Sequence, residues 1–317
     1  MGRLNVSIPD DLAPLVSKWR RKINLSEICA QALRYELTAV ESHRSAAALL
    51  AKIHRPASPL EQRLTERYEL ADVRVSGEPV EHEAGLRESL GSMAAEYLSQ
   101  QLGTGAVLAI AGGRQSWCIV QRLGPRPLEV SIVALGYRQN DPHVLHAHAN
   151  TLTTLLWLLF SPRAVARLVG GDAEEVLNAS LPVQPHPKYF VVASCAPFAA
   201  GGPLARLLGE EITSTLLAKG VVSDFAYNFF DKNGRLVPIA ISAEQSILSA
   251  GCLSMLSRRP DARVVLVAGG REKLRAMRLV LEAKLCNTLV TDAATAETLI
   301  GKVSRRARRR QEPRSRS

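Results

Sequence analysis

Two glycines and a lysine that follow a short apolar run are the first residues of this sequence that could do chemistry. The run occupies 264–268, Gly269 and Gly270 come next, and Lys273 lies in a helix pattern over 272–281. A strand that turns through glycines into a helix start brings free N–H groups and the positive end of a helix dipole together, and this arrangement attracts anions. The stretch therefore predicts part of an anion-binding loop.

A second glycine pair repeats this arrangement earlier in the chain. An apolar run at 106–111 ends in Gly112 and Gly113, ahead of a helix pattern from about 115 to 123. Two such loops at strand ends could meet at one ligand if their strands run parallel in one sheet.

The patterns from residue 68 onward support such a sheet, because strand and helix patterns alternate. Strands are predicted at 71–75, 106–111, 128–135, 189–193, 264–268 and 288–291, and helices at 86–101, 115–123, 150–169, 210–219, 272–281 and after 291. A hairpin is predicted from strands at 224–231 and 235–241, which Asn233-Gly234 would join. The alternation indicates an α/β fold, a Rossmann-like parallel sheet covered by helices.

The first 44 residues follow a different pattern. Arg3, Asn5 and Ser7 alternate with apolar residues, which predicts a half-buried strand with a polar outer face. Two amphipathic helices follow, and Ser26 is the N-cap of the second. One strand and two short helices cannot bury their apolar faces alone, so we expect a dimer in which two strands pair.

The run R-x-N-x-S-I-P-D-D-L, followed by S-E-I-x-x-x-A-L, resembles the ribbon-helix-helix repressors over residues 2–42. The resemblance implies that a two-stranded ribbon enters the major groove of DNA, with Arg3, Asn5 and Ser7 facing base edges. It also implies that the second helix aims its N-terminus, at Ser26, toward a phosphate. The alternative is a dimerisation module that contacts no DNA.

Markers spread over residues 65–301 resemble the sugar-binding effector domain of the SorC/DeoR-like transcriptional regulators. They include G-G-R-Q at 112–115, G-V-V-S-D-F-A-Y-N-F-F-D-K-N-G at 220–234, V-A-G-G-R-E-K-L-R-A-M at 267–277 and L-V-T-D-A-A-T-A at 289–296. The resemblance implies a sugar or sugar-phosphate effector held by loops at the strand ends. The implied effector-binding residues are Gly112, Gly113, Arg114, Gln115, Ser116, Asp224, Gly269, Gly270, Lys273 and Asp292.

The sequence departs from that family at several points. Gln115 stands where the family usually has a small Thr or Ser, Ser223 replaces the usual glycine before the aspartate, and 193–196 read Ala-Ser-Cys-Ala. The N-terminal segment also replaces the family's usual helix-turn-helix. Because Gln115 is longer than Thr, whether the effector carries a phosphate stays open.

Composition bounds the rest of the interpretation. The 317 residues carry a net charge of +10, and residues 302–317 hold eight Lys or Arg against Glu312 alone, which predicts a basic disordered tail. Five widely spaced cysteines predict neither a disulfide framework nor a zinc site, and a reducing cytoplasm without a signal peptide or membrane span is expected. We interpret His143, His146 and His148 as surface histidines and Trp117 and Trp157 as core residues. No cofactor or metal is expected.

These patterns predict a DNA-binding regulator, a dimer or tetramer with no enzymatic activity, whose operator affinity a sugar-class effector controls. The domain boundaries are predicted at 1–44 for DNA binding and dimerisation, 45–64 for a linker, 65–301 for the effector domain and 302–317 for the tail. Two alternatives are a sugar-phosphate isomerase-like enzyme and a plasmid-partition or antitoxin-like DNA binder whose large domain recruits a protein.

Overall fold

The computed structural model divides the chain into a unit of residues 1–55 and a unit of residues 56–317. It describes residues 57–77, 80, 82–137, 142–170, 173, 189–238 and 245–301, all of which lie in the second unit. The predicted ribbon-helix-helix segment with Arg3, Asn5, Ser7 and Ser26 lies outside the described residues, and so does the basic tail.

An eight-stranded sheet forms the centre of the second unit. Its strands are β1 (Asp72–Ser76), β2 (Ala106–Ala111), β3 (Val130–Tyr137), β4 (Val165–Arg167), β5 (Tyr189–Ala193), β10 (Gln245–Ser246), β11 (Ala262–Val267) and β12 (Thr288–Asp292). The order is β1-β12-β11-β5-β2-β3-β10, with β4 also beside β3; all pairs are parallel except β3 with β10. This confirms the predicted α/β class with a mostly parallel sheet.

Helices cover both faces of this sheet, as the pattern of β2 requires. All six residues of β2 are buried, because a central parallel strand has no face exposed to water. Val107 and Ala109 belong to one hydrophobic cluster and Leu108 and Ile110 to another, since successive side chains point to opposite faces. The first cluster includes residues of α1 (Pro59–Tyr68), α7 (Ala250–Ser257), α8 (Leu274–Glu282) and α9 (Ala293–Ile300), and the second residues of α2 (Glu83–Gln101), α3 (Arg114–Val120) and α4 (Ala149–Phe160).

A small antiparallel sheet lies beside the parallel one and includes Asp224. It has the order β6 (Cys195–Pro197), β7 (Val221–Phe225), β8 (Asn228–Asp231) and β9 (Leu236–Val237), and α5 (Pro203–Leu208) and α6 (Glu210–Ala218) connect β6 to β7. The hairpin predicted at Asn233-Gly234 is confirmed between β8 and β9. The single strand predicted at 224–231 is wrong, because a tight turn at Ala226 and Tyr227 divides it into β7 and β8.

Other differences from the sequence prediction concern the ends of helices. The helix predicted at 150–169 ends at Phe160, because Pro162 disfavours helical backbone at the residue before it. Trp157, predicted to be in the core, is 40% exposed. Helix α1 begins at Pro59, inside the stretch assigned to the linker, and its Tyr68 hydroxyl donates to the Leu299 carbonyl of α9. None of the helices described is long and apolar enough to cross a membrane.

Candidate functional site

A cavity of about 410 Å³ opens at the carboxyl ends of the parallel strands. Ala111 and Tyr137, the last residues of β2 and β3, line it, and so does Ser194, which directly follows β5. Ligands of open α/β sheets bind at this edge. The sheet therefore places a cavity where the sequence predicted the ligand loops to meet.

The first glycine loop forms part of the cavity wall. Gly112, Gly113, Arg114 and Gln115 line the cavity, whereas Ser116 is buried and does not. The Gly113 N–H donates to the Ala147 carbonyl at 2.8 Å, which ties the loop to the residues ahead of α4. The Arg114 side chain is exposed, so its guanidinium is free to approach a ligand.

Gln115 is anchored to protein. Its side chain is buried, and its Nε2 donates to the Arg87 carbonyl of α2 at 3.0 Å. Arg87 in turn pairs with Glu83 at 2.7 Å. This hydrogen bond lowers the pKa of the Glu83 carboxyl, to which Lys273 and Arg114 add smaller effects.

Asp224 is the buried carboxylate of the cavity lining. It lies in β7 and is 8% exposed. Burial raises the pKa of this carboxyl to about 7, against a smaller lowering effect of the hydrogen bond from the Tyr227 N–H. Asp224 can therefore accept a hydrogen bond when ionised and donate one when protonated within the neutral range.

The turn after Asp224 has strained backbone. Ala226 and Tyr227 have φ values of 48° and 65°, in the left-handed region that residues with a Cβ rarely adopt. Asn228 stabilises the turn, because its Nδ2 donates to the carbonyls of Ala226 at 3.2 Å and Leu248 at 2.9 Å. Strained backbone of this kind occurs often at ligand sites.

Tyr227 reaches from this turn to the cavity, although no sequence pattern predicts a role for it. Its ring packs edge-on against Tyr137 with the centroids 5.3 Å apart, and both residues line the cavity. A Cβ at Gly112 would lie 3.0 Å from the Tyr227 hydroxyl, and one at Gly136 would lie 3.1 Å from it. Glycine at both positions therefore makes room for this ring. Burial raises the pKa of the Tyr227 hydroxyl, so this group stays protonated.

The second glycine loop contributes Lys273. It ends a 3-10 helix (Arg271–Lys273), is half-buried and lines the cavity beside Glu272. Within the described part of the chain no carboxylate lies within ion-pair distance of Lys273. Its ammonium group is therefore available to a ligand.

Gly269, Gly270 and Asp292 are close together, but they do not line the cavity. The Gly270 N–H donates to Asp292 Oδ2 at 3.2 Å and to Thr295 Oγ1 at 2.8 Å. This N–H was predicted to bind an anion, but it is already hydrogen-bonded to side chains of the protein. Asp292 Oδ1 accepts from the Thr295 N–H at 2.9 Å and caps α9. A Cβ at Gly269 would overlap Asp292 Oδ2. These residues position the loop that carries Lys273.

His148 is buried, which corrects its interpretation as a surface histidine. Its Nδ1 accepts from the Asn150 N–H at 3.4 Å, and its Nε2 donates to the Tyr137 carbonyl at 2.9 Å. It thereby joins the start of α4 to the end of β3. No group of three or more His, Cys, Asp or Glu among the described residues could hold a metal ion.

A family model described as "Putative sugar-binding domain" matches residues 55–156 and 200–301 of this chain. The match covers more than half of the sequence, so the chain belongs to this family of sugar-binding domains. The unmatched residues between the two segments include the central strand β5 and all of β6.

The chain is also similar to a curated protein and to solved structures. The chain is 26% identical over 250 residues to the deoxyribonucleoside regulator of Bacillus subtilis, a match that covers 75% of this chain and 78% of that protein. The sorbitol operon regulator SorC from Klebsiella pneumoniae is similar with a TM-score of 0.59 and 20% identity, over 92% of this chain and 100% of SorC. A transcriptional regulator from Streptococcus pneumoniae has a TM-score of 0.61 and 20% identity, over 76% of this chain and 95% of that one.

Proposed function

We propose that this protein is a transcriptional regulator whose affinity for its DNA operator is controlled by a sugar-class effector in the cavity at the strand ends. The observation that carries the proposal is that a chain of the sugar-binding family keeps a cavity in which Asp224, Lys273 and Arg114 all take part. Its curated relative is a deoxyribonucleoside regulator, which favours transcription control over catalysis.

Residues 1–44 would supply the DNA contacts. Arg3, Asn5 and Ser7 would read base edges from a two-stranded ribbon, and Ser26 would contact a phosphate. Because the ribbon needs one strand from each of two chains, the protein would bind DNA as a dimer or as a tetramer made of two dimers. The effector would change DNA affinity only by binding two states of this assembly unequally.

Asp224 would accept a hydroxyl of the effector, and Lys273 and Arg114 would donate to its oxygens. Gly112, Gly113 and Gln115 would shape the floor of the site. Asp292 would hold the loop of Gly269 and Gly270 in place and would not contact the ligand itself. Lys273, at the end of this loop, would make the contact.

Selection of DNA from a random pool with the full-length protein tests the proposal. We expect an enriched sequence with two-fold symmetry, and we expect Arg3→Ala with Asn5→Ala to lose it while the thermal unfolding of the protein is unchanged. Lys273→Ala is the matched comparison, because it should keep the selected DNA and lose the response to effector. Enrichment of the same sequence by the Arg3/Asn5 double variant would contradict the DNA assignment.

One observation favours a second candidate, a sugar-converting enzyme. A carboxyl group whose pKa burial raises to about 7 is suited to general acid–base catalysis at neutral pH. The Tyr227 hydroxyl, which also lines the cavity, stays protonated and is not a base. Incubation of the protein with a bound sugar, followed by NMR of the recovered compound, distinguishes the two: an unchanged compound supports the regulator.

A further inference from the structure

An ion pair forms part of the lining of the cavity. Arg87 and Glu83 of α2 both line it, and a guanidinium nitrogen of Arg87 lies 2.7 Å from Glu83 Oε1. Among the ion pairs of the described residues, this is the one whose two members both belong to the lining. Glu83 therefore binds a cation that the cavity could otherwise offer to a ligand.

The two members of this pair differ in exposure. The Arg87 side chain is 17% exposed, whereas that of Glu83 is 57% exposed. The Glu83 carboxylate can turn into water at little cost, since exposed pairs four residues apart on a helix contribute little to stability. A mostly buried guanidinium without a partner is costly, so Arg87 needs another anion when Glu83 leaves.

The backbone of Arg87 is held against the first glycine loop. Gln115 Nε2 donates to the Arg87 carbonyl at 3.0 Å. One turn further along α2, Gly91 lies so close to α3 that a Cβ at this position would be 2.7 Å from the Cβ of Cys118. The Arg87 side chain can therefore change its partner while its backbone stays beside the cavity.

Other positive charges act on the same carboxylate. The hydrogen bond from Arg87 lowers the pKa of the Glu83 carboxyl, and the charges of Lys273 and Arg114, which also line the cavity, lower it further. Glu83 is the first residue of α2, where the helix dipole favours a negative charge. An oxyanion that took the place of this carboxylate would meet the same favourable charges.

We propose that Arg87 is a further ligand-binding residue of the cavity and that Glu83 competes with the ligand for it. A ligand group with anionic oxygens, such as a phosphate, replaces the Glu83 carboxylate at the Arg87 guanidinium. Ligands that bind through hydroxyl groups alone leave the pair intact, so Glu83 sets the preference between the two kinds of ligand. This inference rests on the proposed function, since it concerns the same cavity.

Calorimetry with inorganic phosphate tests the exchange on the full-length protein at constant ionic strength. Glu83→Gln should bind phosphate at least about fivefold tighter than the unmodified protein, because a competitor and a repelling charge are both removed. Glu88→Gln is the matched control and should leave the phosphate affinity unchanged. Glu88 lies on the same helix and is exposed, but it pairs with Arg122 at 3.6 Å and lies outside the lining.

A double-mutant cycle shows whether Glu83 acts through Arg87. Arg87→Met removes the charge and keeps an apolar stem in place of the arginine stem. In this background Glu83→Gln should improve phosphate binding by less than about twofold, since the cation for which Glu83 competes is gone. Phosphate that binds elsewhere on this basic chain does so in every variant, so the differences between variants report on the cavity.

Two results would overturn the proposal. One is a Glu83→Gln variant that binds phosphate no tighter than the unmodified protein does. The other is a gain that persists in full in the Arg87→Met background, because Glu83 would then act by repulsion alone. If Arg87→Met does not fold, Glu83→Gln against Glu88→Gln still decides, since a misfolded variant would not gain affinity. Neither result would remove the proposed function, which fails instead if the protein selects no DNA or responds to no sugar.

Discussion

Asp224 shows how one residue can link folding and ligand binding. Its ordinary pKa of 3.8 rises to about 7 because burial penalises the charged form. Between these two values the folded protein holds a proton that the unfolded chain releases. The free energy of unfolding therefore falls as pH rises from about 4 to 7, and it levels off above that.

Asp224→Asn should remove this dependence, since an amide does not ionise. At pH 8 the variant should be more stable than the unmodified protein by roughly 2–4 kcal/mol, and near pH 4 the difference should vanish. Thermal unfolding of both proteins from pH 4 to 8 measures this.

Asp231→Asn is the matched control for that series. Asp231 is exposed, and its hydrogen bonds to Arg235 and Asn233 lower the pKa of its carboxyl. Because its stability contribution is lost only on acidification below the ordinary range, this variant should keep the wild-type slope between pH 4 and 7. Equal slopes for all three proteins would mean that Asp224 is not the group that titrates.

At the scale of elements, the sequence predicts an element correctly when the residues of that element alone determine its backbone. The bounds of β2 and β5 follow from continuous apolar runs, because a buried parallel strand needs nothing else. The hairpin at Asn233-Gly234 follows from turn residues that favour its backbone. The turn at Ala226 and Tyr227 could not be predicted, since neither residue favours a positive φ and the contacts that stabilise it come from Asn228.

The candidate site divides in the same way. Gly112, Gly113 and Lys273 could be placed near the ligand, because glycine loops at strand ends have a recognisable pattern. The hydrogen bond from the Gln115 side chain to protein could not be predicted, since its acceptor, the Arg87 carbonyl, lies 28 residues away in the sequence. The capping role of Asp292 depends on where α9 begins.

The start of α9 yields an element-scale prediction. Asp292→Ala removes the N-cap of α9 and one acceptor of the Gly270 N–H, and it should destabilise the protein by about 1–2 kcal/mol. Because Thr295 still accepts from Gly270, the loop should loosen without unfolding. Denaturant unfolding measures the stability, and calorimetry with the best ligand should show weaker binding at Lys273.

Asp292→Asn is the comparison that separates capping from charge. Asparagine is as good an N-cap as aspartate, so this variant should lose much less stability than Asp292→Ala. A direct role of the Asp292 carboxylate in ligand binding would instead give equal loss of affinity in both variants at unequal stability.

At the scale of the whole molecule, a central strand of the parallel sheet lies in a stretch that the family model does not match. Strand β5 lies between β2 and β11 at the centre of the sheet, yet it falls between the matched residues 55–156 and 200–301. A central strand needs only apolar residues that fit the register, so the sequence there can change while the fold is kept. Differences in ligand preference can arise in this stretch, because Ser194–Phe198 line the cavity.

The separation of residues 56–317 as a compact unit yields the last prediction. A fragment of residues 56–301 contains the complete parallel sheet and both hydrophobic clusters. We expect it to unfold in one cooperative transition. In the absence of DNA it should bind an effector with the affinity of the full chain, within about threefold, because the residues that line the cavity all lie in this fragment. It should show no binding to the selected DNA in fluorescence anisotropy, because residues 1–44 are missing. A fragment that binds this DNA as well as the full chain does would show that the DNA contacts lie in residues 56–301. Ligand binding to the same fragment, measured by calorimetry, tests the cavity separately.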